Sequence, residues 1–162
     1  MTIRKIITAV VVAVFSTGAV AQGSFDFGDI PGVNQQPMVD VNLNQTLIGF
    51  VRAAAGPTNP EAADLLAGLR GIRVRVYSSG NNGRQFNNFI DNVTEQLEGS
   101  GWLRVVYAED GNGKVRMHMH MTEEQVSGLT VMVFDESEAV FINIDGSISA
   151  EDLGKVMAML PV

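Results

Sequence analysis

Cysteine is absent from the 162-residue sequence, and this absence removes several possibilities at once. The protein cannot form disulfide bonds, so its stability must come from side-chain packing even in an oxidising compartment. A lipid anchor on an N-terminal cysteine is excluded for the same reason, and so is a cysteine nucleophile. We therefore expect a fold that is held together by its hydrophobic core alone.

Recognisable catalytic motifs are also missing. The sequence contains no GxSxG, HExxH or Walker loop. Its two histidines, His118 and His120, lie on one predicted strand, and no acidic residue is predicted within the sheet to orient either ring. We expect a protein that is not an enzyme and that carries no cofactor.

Positive charge is scarce. Lysine and arginine number 11 against 18 aspartates and glutamates, for a formal net charge of −7. The first 21 residues hold two of these cations, Arg4 and Lys5, and no acid, so their removal would change the net charge to −9. An acidic, exported protein is a poor candidate for nucleic-acid binding.

Long apolar runs are confined to the start of the chain. Arg4 and Lys5 precede an apolar stretch from Ile6 to Phe15, and Ala19-Val20-Ala21 is a typical cleavage signal. The stretch is shorter than the ~20 residues that span a bilayer. We expect a signal peptide over 1–21, cleavage after Ala21, a periplasmic or secreted product, and no membrane span in the mature chain.

The rest of the chain divides into two parts. Residues 22–37 are rich in Gly, Asp, Asn and Gln, lack periodicity, and predict a flexible N-terminal segment. Residues 38–162 alternate between helical and strand patterns and predict a single α+β domain.

Helices are predicted where apolar residues recur at three- and four-residue spacing. The first covers 43–54, and the second begins at Asn59, an N-cap followed by Pro60. The clearest amphipathic pattern runs from Phe86 to Leu97. A last helix follows Ser149 and Asp152, which resemble a capping box.

Strands are predicted where apolar and polar residues alternate. They are Ile72–Tyr77, Trp102–Glu109, Lys114–Met121, Leu129–Phe134 and Ala139–Asp145, with a possible short strand at Met38–Leu43. The turn signal Asp110-Gly111-Asn112-Gly113 implies a hairpin. We expect a two-layer α+β sandwich: an antiparallel sheet of about five strands with helices on one face, after an N-terminal helical segment. The order strand, helix, four strands, helix is that of the TATA-binding-protein-like fold, an analogy that carries no function.

The stretch KVRMHMHM at 114–121 has the composition of a copper or silver site, because thioethers select copper(I) and imidazoles bind copper well. On a strand, however, Met117, Met119 and Met121 point to one face, and His118 and His120 to the other. Same-face neighbours are ~6.6–6.8 Å apart, which is wide for shared coordination. This favours core methionines and exposed histidines. Metal handling by the MHMHM strand, with weak binding at His118 and His120, stays open as the alternative function.

One predicted face is chemically unusual. We expect the aliphatic face of the sheet to meet the helices, through Ile72, Val74, Val76, Leu103, Val105, Val131, Val133, Val140, Ile142 and Ile144. The opposite, basic-aromatic face comprises Arg73, Arg75, Tyr77, Trp102, Arg104, Arg116, His118, His120, Phe134, Phe141 and Asn143. With acids expected only at turns and on outer helix surfaces, these arginines lack partners, which is typical either of a solvated face or of a binding surface.

We therefore predict a non-enzymatic binding domain whose open basic-aromatic face binds an envelope protein or a small anionic ligand. The candidate binding residues are Arg73, Arg75, Tyr77, Trp102, Arg104, Arg116, His118 and His120.

Four stretches together resemble a known family. GIRVRVY at 71–77, GW at 101–102, GLTVMVF at 128–134 and FINIDGSIS at 141–149 are similar, in order and spacing, to the bacterial envelope family called domain of unknown function 4252. The resemblance spans roughly residues 39–160. It implies an exported bacterial protein of uncharacterised role, and it supplies no catalytic residues.

Overall fold

The computed structural model describes residues 23–159, so the predicted signal peptide over 1–21 lies outside the described residues. The described strands are β1 (Val39–Asn44), β2 (Leu69–Ser78), β3 (Leu103–Glu109), β4 (Lys114–Thr122), β5 (Gln125–Phe134) and β6 (Glu138–Ile148). The described helices are α1 (Gln45–Ala55), α2 (Pro60–Ala67), α3 (Gly83–Gly99) and α4 (Ala150–Met159).

All six strands form one antiparallel sheet in the order β1-β2-β6-β5-β4-β3. The predicted α+β class and antiparallel sheet are confirmed, as is the order strand, helix, four strands, helix from β2 to α4. The sheet has one strand more than expected, because the short N-terminal strand β1 pairs with β2 and forms an edge.

Side-chain caps begin two of the helices where the sequence predicts them. The Asn59 side chain accepts a hydrogen bond from the Ala62 backbone N–H at 3.1 Å, with Pro60 in the first turn. Ser149 Oγ accepts from the Asp152 N–H at 3.1 Å and lies 2.7 Å from Asp152 Oδ2. These caps satisfy backbone donors that a helix leaves unpaired.

Hydrophobic residues gather in two clusters on opposite faces of the sheet. Helix α3 packs through Phe86, Ile90 and Leu97 against a face that includes Phe141. The second cluster, around Leu129, contains residues from α1, α2 and α4. Helix α3 therefore lies on one face of the sheet, and α1, α2 and α4 contribute to the cluster on the other face.

The described part of the N-terminal segment is packed rather than loose. Residues 23–37 contain no helix or strand, yet Phe27 and Ile30 are buried in the same cluster as α3. The Asn143 side chain anchors the segment, accepting from the Phe25 N–H at 3.1 Å and donating to the Gly23 carbonyl at 3.2 Å. The segment thus completes the cover beside α3.

Candidate functional site

The basic-aromatic face is largely covered, and its centre is buried. Arg116 and His118 are 0% exposed, and Tyr77 and Trp102 are buried. Alternation correctly places the four arginines on one face of the sheet, but the expectation that helices leave this face open is wrong. Helix α3 and residues 23–33 cover it, because its large aromatic side chains have more apolar area to bury than the valines opposite.

Arg116 lies in the middle of strand β4 and is held on several sides. Its Nη1 atom donates to the carbonyls of Ala108 at 2.9 Å and Val115 at 3.2 Å, and its Nη2 atom pairs with the Glu109 carboxylate. The guanidinium carbon lies 3.5 Å from the centre of the Tyr107 ring, within range of a cation–π contact. The guanidinium thus binds this chain's own groups rather than facing solvent.

Tyr107 is a member of this site that the sequence misses. A β-bulge between Arg104 and Val106 interrupts the alternation of β3, so Tyr107 pairs with Arg116 and joins the basic-aromatic face. For the same reason Val106, instead of the predicted Val105, lies in register with Met117.

Lys114 stands one pleat away from Arg116 and is also buried. Its Nζ atom is 2.7 Å from Asp91 Oδ1 on α3 and 3.8 Å from Glu109 Oε1. The two cations therefore share the Asp91 and Glu109 carboxylates, which removes much of the cost of burying positive charge.

Glu98, near the end of α3, receives two partners. Its Oε1 atom lies 2.7 Å from Arg104 Nε and 3.1 Å from His118 Nε2. Hydrogen bonds from Arg104 first, and then from His118, lower the pKa of Glu98 to about 2. The pKa of Arg104 is raised in turn by its hydrogen bond to Glu98.

The acids Asp91 and Glu98 escape sequence reasoning because a helical wheel places them outside the apolar stripe. Their spacing contains a signal nonetheless. Seven helical residues rise ~10.5 Å, and the four residues from Lys114 to His118 on a strand span ~13 Å. Asp91 can therefore lie opposite Lys114 while Glu98 lies opposite His118.

Arg73 and Arg75 lie on β2, separated from the other two arginines by β6 and β5. The Arg73 guanidinium donates to the Phe25 carbonyl at 3.2 Å, and Arg75 donates to the Gly28 carbonyl at 2.6 Å. These arginines hold the N-terminal segment on the sheet.

The alternation predicted for the MHMHM stretch is present from Met117 to His120. Met117 and Met119 belong to the cluster opposite α3. The expectation of exposed histidines is wrong: His118 is buried, and His120 is half-buried, with Nδ1 2.9 Å from Ser127 Oγ. Among the described residues, no group of three His, Cys, Asp or Glu side chains could hold a metal ion.

A partly exposed apolar surface lies on the other side of the sheet. Strand register places the following residues together there, and we call them the apolar sheet face: Val39, Val41, Leu43, Ile72, Val74, Val76, Leu103, Val106, Val115, Met117, Met119, Leu129, Val131, Val133, Val140, Ile142 and Ile144. Charge appears at its margin, as at Glu138 where β6 begins.

Cover on the apolar sheet face is incomplete. Leu129, Val131 and Met117 are buried, whereas Val74 and Val140 on strands β2 and β6 remain half-exposed. Helix α1 packs into this side through Ile48 and presents a second apolar stripe to solvent, made of Leu47, Phe50 and Val51. Phe50 is 70% exposed, which is unusual for so large an apolar side chain.

No helix within residues 23–159 has both the length and the apolar character needed to cross a membrane. The chain forms an α+β domain in which the buried cations Lys114 and Arg116 pair with carboxylates of the same chain.

A family model described as "Domain of unknown function (DUF4252)" matches residues 33–156. The chain belongs to this family, as the four strand motifs indicate. Searches of curated proteins and of solved structures each found no match.

Proposed function

We propose that this protein is an exported, non-enzymatic interaction domain that binds its partner through the apolar sheet face. The observation that carries the proposal is the extent of this face, which draws on all six strands and is only partly covered by the described helices. The basic-aromatic face is a weaker candidate than first expected, because Arg116 and His118 are buried. Its other arginines, Arg73, Arg75 and Arg104, each bind a group of this chain.

The state of the titratable groups supports a role other than catalysis. General acid–base chemistry needs a side chain within hydrogen-bond reach of a substrate. Here Lys114, Arg116 and His118 are buried against carboxylates of α3 and β3. His120 faces Ser127 and packs against the Trp102 ring. These groups are therefore engaged with one another rather than presented to a ligand.

The apolar sheet face has the character of an interface core. Monomeric proteins rarely leave extended apolar patches in water, and such patches commonly mark docking sites. Interface cores are depleted of charge, and strongly contributing residues are often aromatic. The face has its charges at the margin, and Phe50 stands exposed on the adjoining helix.

Site-specific photo-crosslinking in cells tests this proposal. A benzophenone amino acid at Val74 or Val140, both half-exposed on the face, should give discrete adducts. The matched control is the same probe at Asn88, which is exposed on α3. Failure to crosslink at the face positions, or equal crosslinking at Asn88, would refute the proposal.

Export is part of the same proposal and is tested separately. We expect processing after Ala21, so that the secreted form begins at Gln22. Intact-mass and N-terminal mass spectrometry of the periplasmic protein measure this directly. A full-length product that remains in the membrane fraction would contradict it.

Copper(I) or silver(I) handling is a second candidate, favoured by one observation. Met119 and Met121 both line a cavity of about 640 Å³ between α2, α4 and the β4–β5 hairpin, with Asp64 and Asp152 at its wall. Two thioethers on one cavity suit a soft cation. Sub-micromolar copper(I) affinity in a chelator competition, lost when Met119 and Met121 become leucine, would establish this function. Affinity that is absent, or unchanged in the leucine variant, would exclude this site.

A further inference from the structure

We infer that the groove beneath the start of the N-terminal segment is a peptide-recognition site, which residues 23–33 occupy as an intramolecular ligand. We call these residues the strap. The ligand class is an extended peptide that begins with glycine and carries alternating aromatic side chains, as in GSFDF at 23–27. A partner protein that presents such a peptide would compete with the strap. The groove lies on the face opposite the apolar sheet face, so the inference is independent of the proposed function.

Side chains of the sheet bind the main chain of the strap. Asn143, which is 2% exposed, uses both ends of its amide: Oδ1 accepts from the Phe25 N–H at 3.1 Å, and Nδ2 donates to the Gly23 carbonyl at 3.2 Å. The guanidinium groups of Arg73 and Arg75 donate to two further carbonyls of the strap. Hydrogen bonds to the main chain supply affinity for an extended peptide that does not depend on its side chains.

Alternate side chains of the strap supply specificity. Phe27 is buried, and its ring centre lies 5.5 Å from that of Phe141. The ring centre of Phe25 lies 6.4 Å from that of Trp102, in an edge-to-face arrangement. Asp26, between the two phenylalanines, is exposed. An extended peptide that lies in a groove buries every second side chain in this way.

Gly23 sets the position of the peptide along the groove. It packs so closely on Gly128 of β5 that a Cβ atom at residue 23 would collide with the Ser127 carbonyl. A Cβ atom at residue 128 would in turn collide with the main chain of Gly23. A larger residue therefore cannot replace glycine at the start of the peptide without breaking the Asn143 contacts that follow.

Two observations distinguish the strap from the rest of the core. The matched family domain begins at residue 33, so it contains the groove residues Arg73, Trp102 and Asn143, whereas most of the strap lies outside it. The strap also has no helix or strand, and the hydrogen bonds described above tie it to the sheet through side chains. A tethered segment of this kind has an effective concentration of about millimolar, which lets it fill a site of moderate affinity.

Peptide exchange in the secreted protein tests the inference. A protease site inserted after Asn34, which is exposed, allows the strap to be cut while it stays in its groove. The cut strap should then exchange with a peptide of residues 22–34 that carries a fluorophore at its C-terminus. The intact chain should bind the same peptide more weakly, by roughly a hundredfold or more, because its tethered strap competes. The matched control is the Gly23→Ala peptide, which should bind neither form.

Two variants of the uncut chain separate recognition from folding. Phe27→Ala and Gly23→Ala each weaken the tethered strap, so the fluorescent peptide should bind both variants more tightly than it binds the uncut wild type, by about tenfold or more. Mere loss of a packing contact would not increase the binding of an added peptide. A cut strap that leaves only when the domain unfolds would overturn the inference, as would equal binding of the Gly23→Ala peptide. Uncut variants that bind the peptide no better than the wild type would do the same.

Discussion

His118 Nε2 lies 3.1 Å from Glu98 Oε1, and this pair joins the buried side of β4 to the last turns of α3. Glu98 also binds Arg104, so a single carboxylate connects one helix with two neighbouring strands. Asp91, near the middle of α3, binds Lys114 and so connects the helix with β4. Ion pairs on this side of the sheet therefore help to hold α3 in position.

Glu98→Gln should lower stability in a pH-dependent way. In the folded protein the pKa of Glu98 is lowered from 4.5 to about 2. A depressed carboxyl pKa stabilises the fold fully above about pH 4.5, and this contribution is lost as the pH falls through about 2. The difference in melting temperature between wild type and Glu98→Gln should thus be largest near neutral pH and shrink towards pH 2.

Glu95→Gln is the matched control, since Glu95 is exposed on the same helix. Its melting temperature should stay close to the wild-type value throughout. A Glu98→Gln difference that does not change with pH would show that the carboxylate charge contributes nothing to folding.

Arg116→Gln should destabilise the protein strongly. The substitution leaves Glu109 without its closest cation and removes a fully buried side chain that contacts the Tyr107 ring. Loss of its hydrogen bonds to the Ala108 and Val115 carbonyls should cost about 1–3 kcal/mol, which urea denaturation measures. Arg104→Gln should cost less, because Arg104 is exposed to solvent. Equal, near-neutral effects at both positions would support an open basic-aromatic face and contradict the structure.

Phe141→Ala and Phe50→Ala should differ sharply. Phe141 is buried, with ring centres of Phe27 at 5.5 Å and Phe89 at 5.4 Å, so its truncation should cost ~3–5 kcal/mol. Phe50 is exposed on α1, and its truncation should stay within about 0.5 kcal/mol. Chemical denaturation of dilute samples gives both values. A small loss at Phe141 with a large loss at Phe50 would reverse the assignment of covered and uncovered surfaces.

Local patterns carry much of the fold in this sequence. Alternation along β2, β4 and β6 predicts which residues share a face, and Asn59 and Ser149 predict where two helices begin. These features depend on near neighbours in the chain. They therefore require no knowledge of how distant elements pack.

Which face of the sheet α3 covers could not be predicted in the same way, because both faces carry enough apolar area for a helix to pack on. One carries valine and isoleucine, and the other carries aromatic rings and long arginine stems. The choice depends on pairs far apart in sequence, such as Lys114 with Asp91, and on Phe27 and Ile30 in a segment without periodicity. The β3 bulge, which places Tyr107 beside Arg116, adds an irregularity that alternation cannot reveal.

Solvent accessibility of methyl groups tests the central claim most directly. In dilute secreted protein, a soluble paramagnetic probe should broaden the methyl NMR signals of Val74, Val140 and Ile142 on the apolar sheet face. Met132, buried on the other face beneath α3, should be unaffected. Strong broadening at Met132, or apolar-face methyls that are protected even at the lowest concentration, would contradict the account.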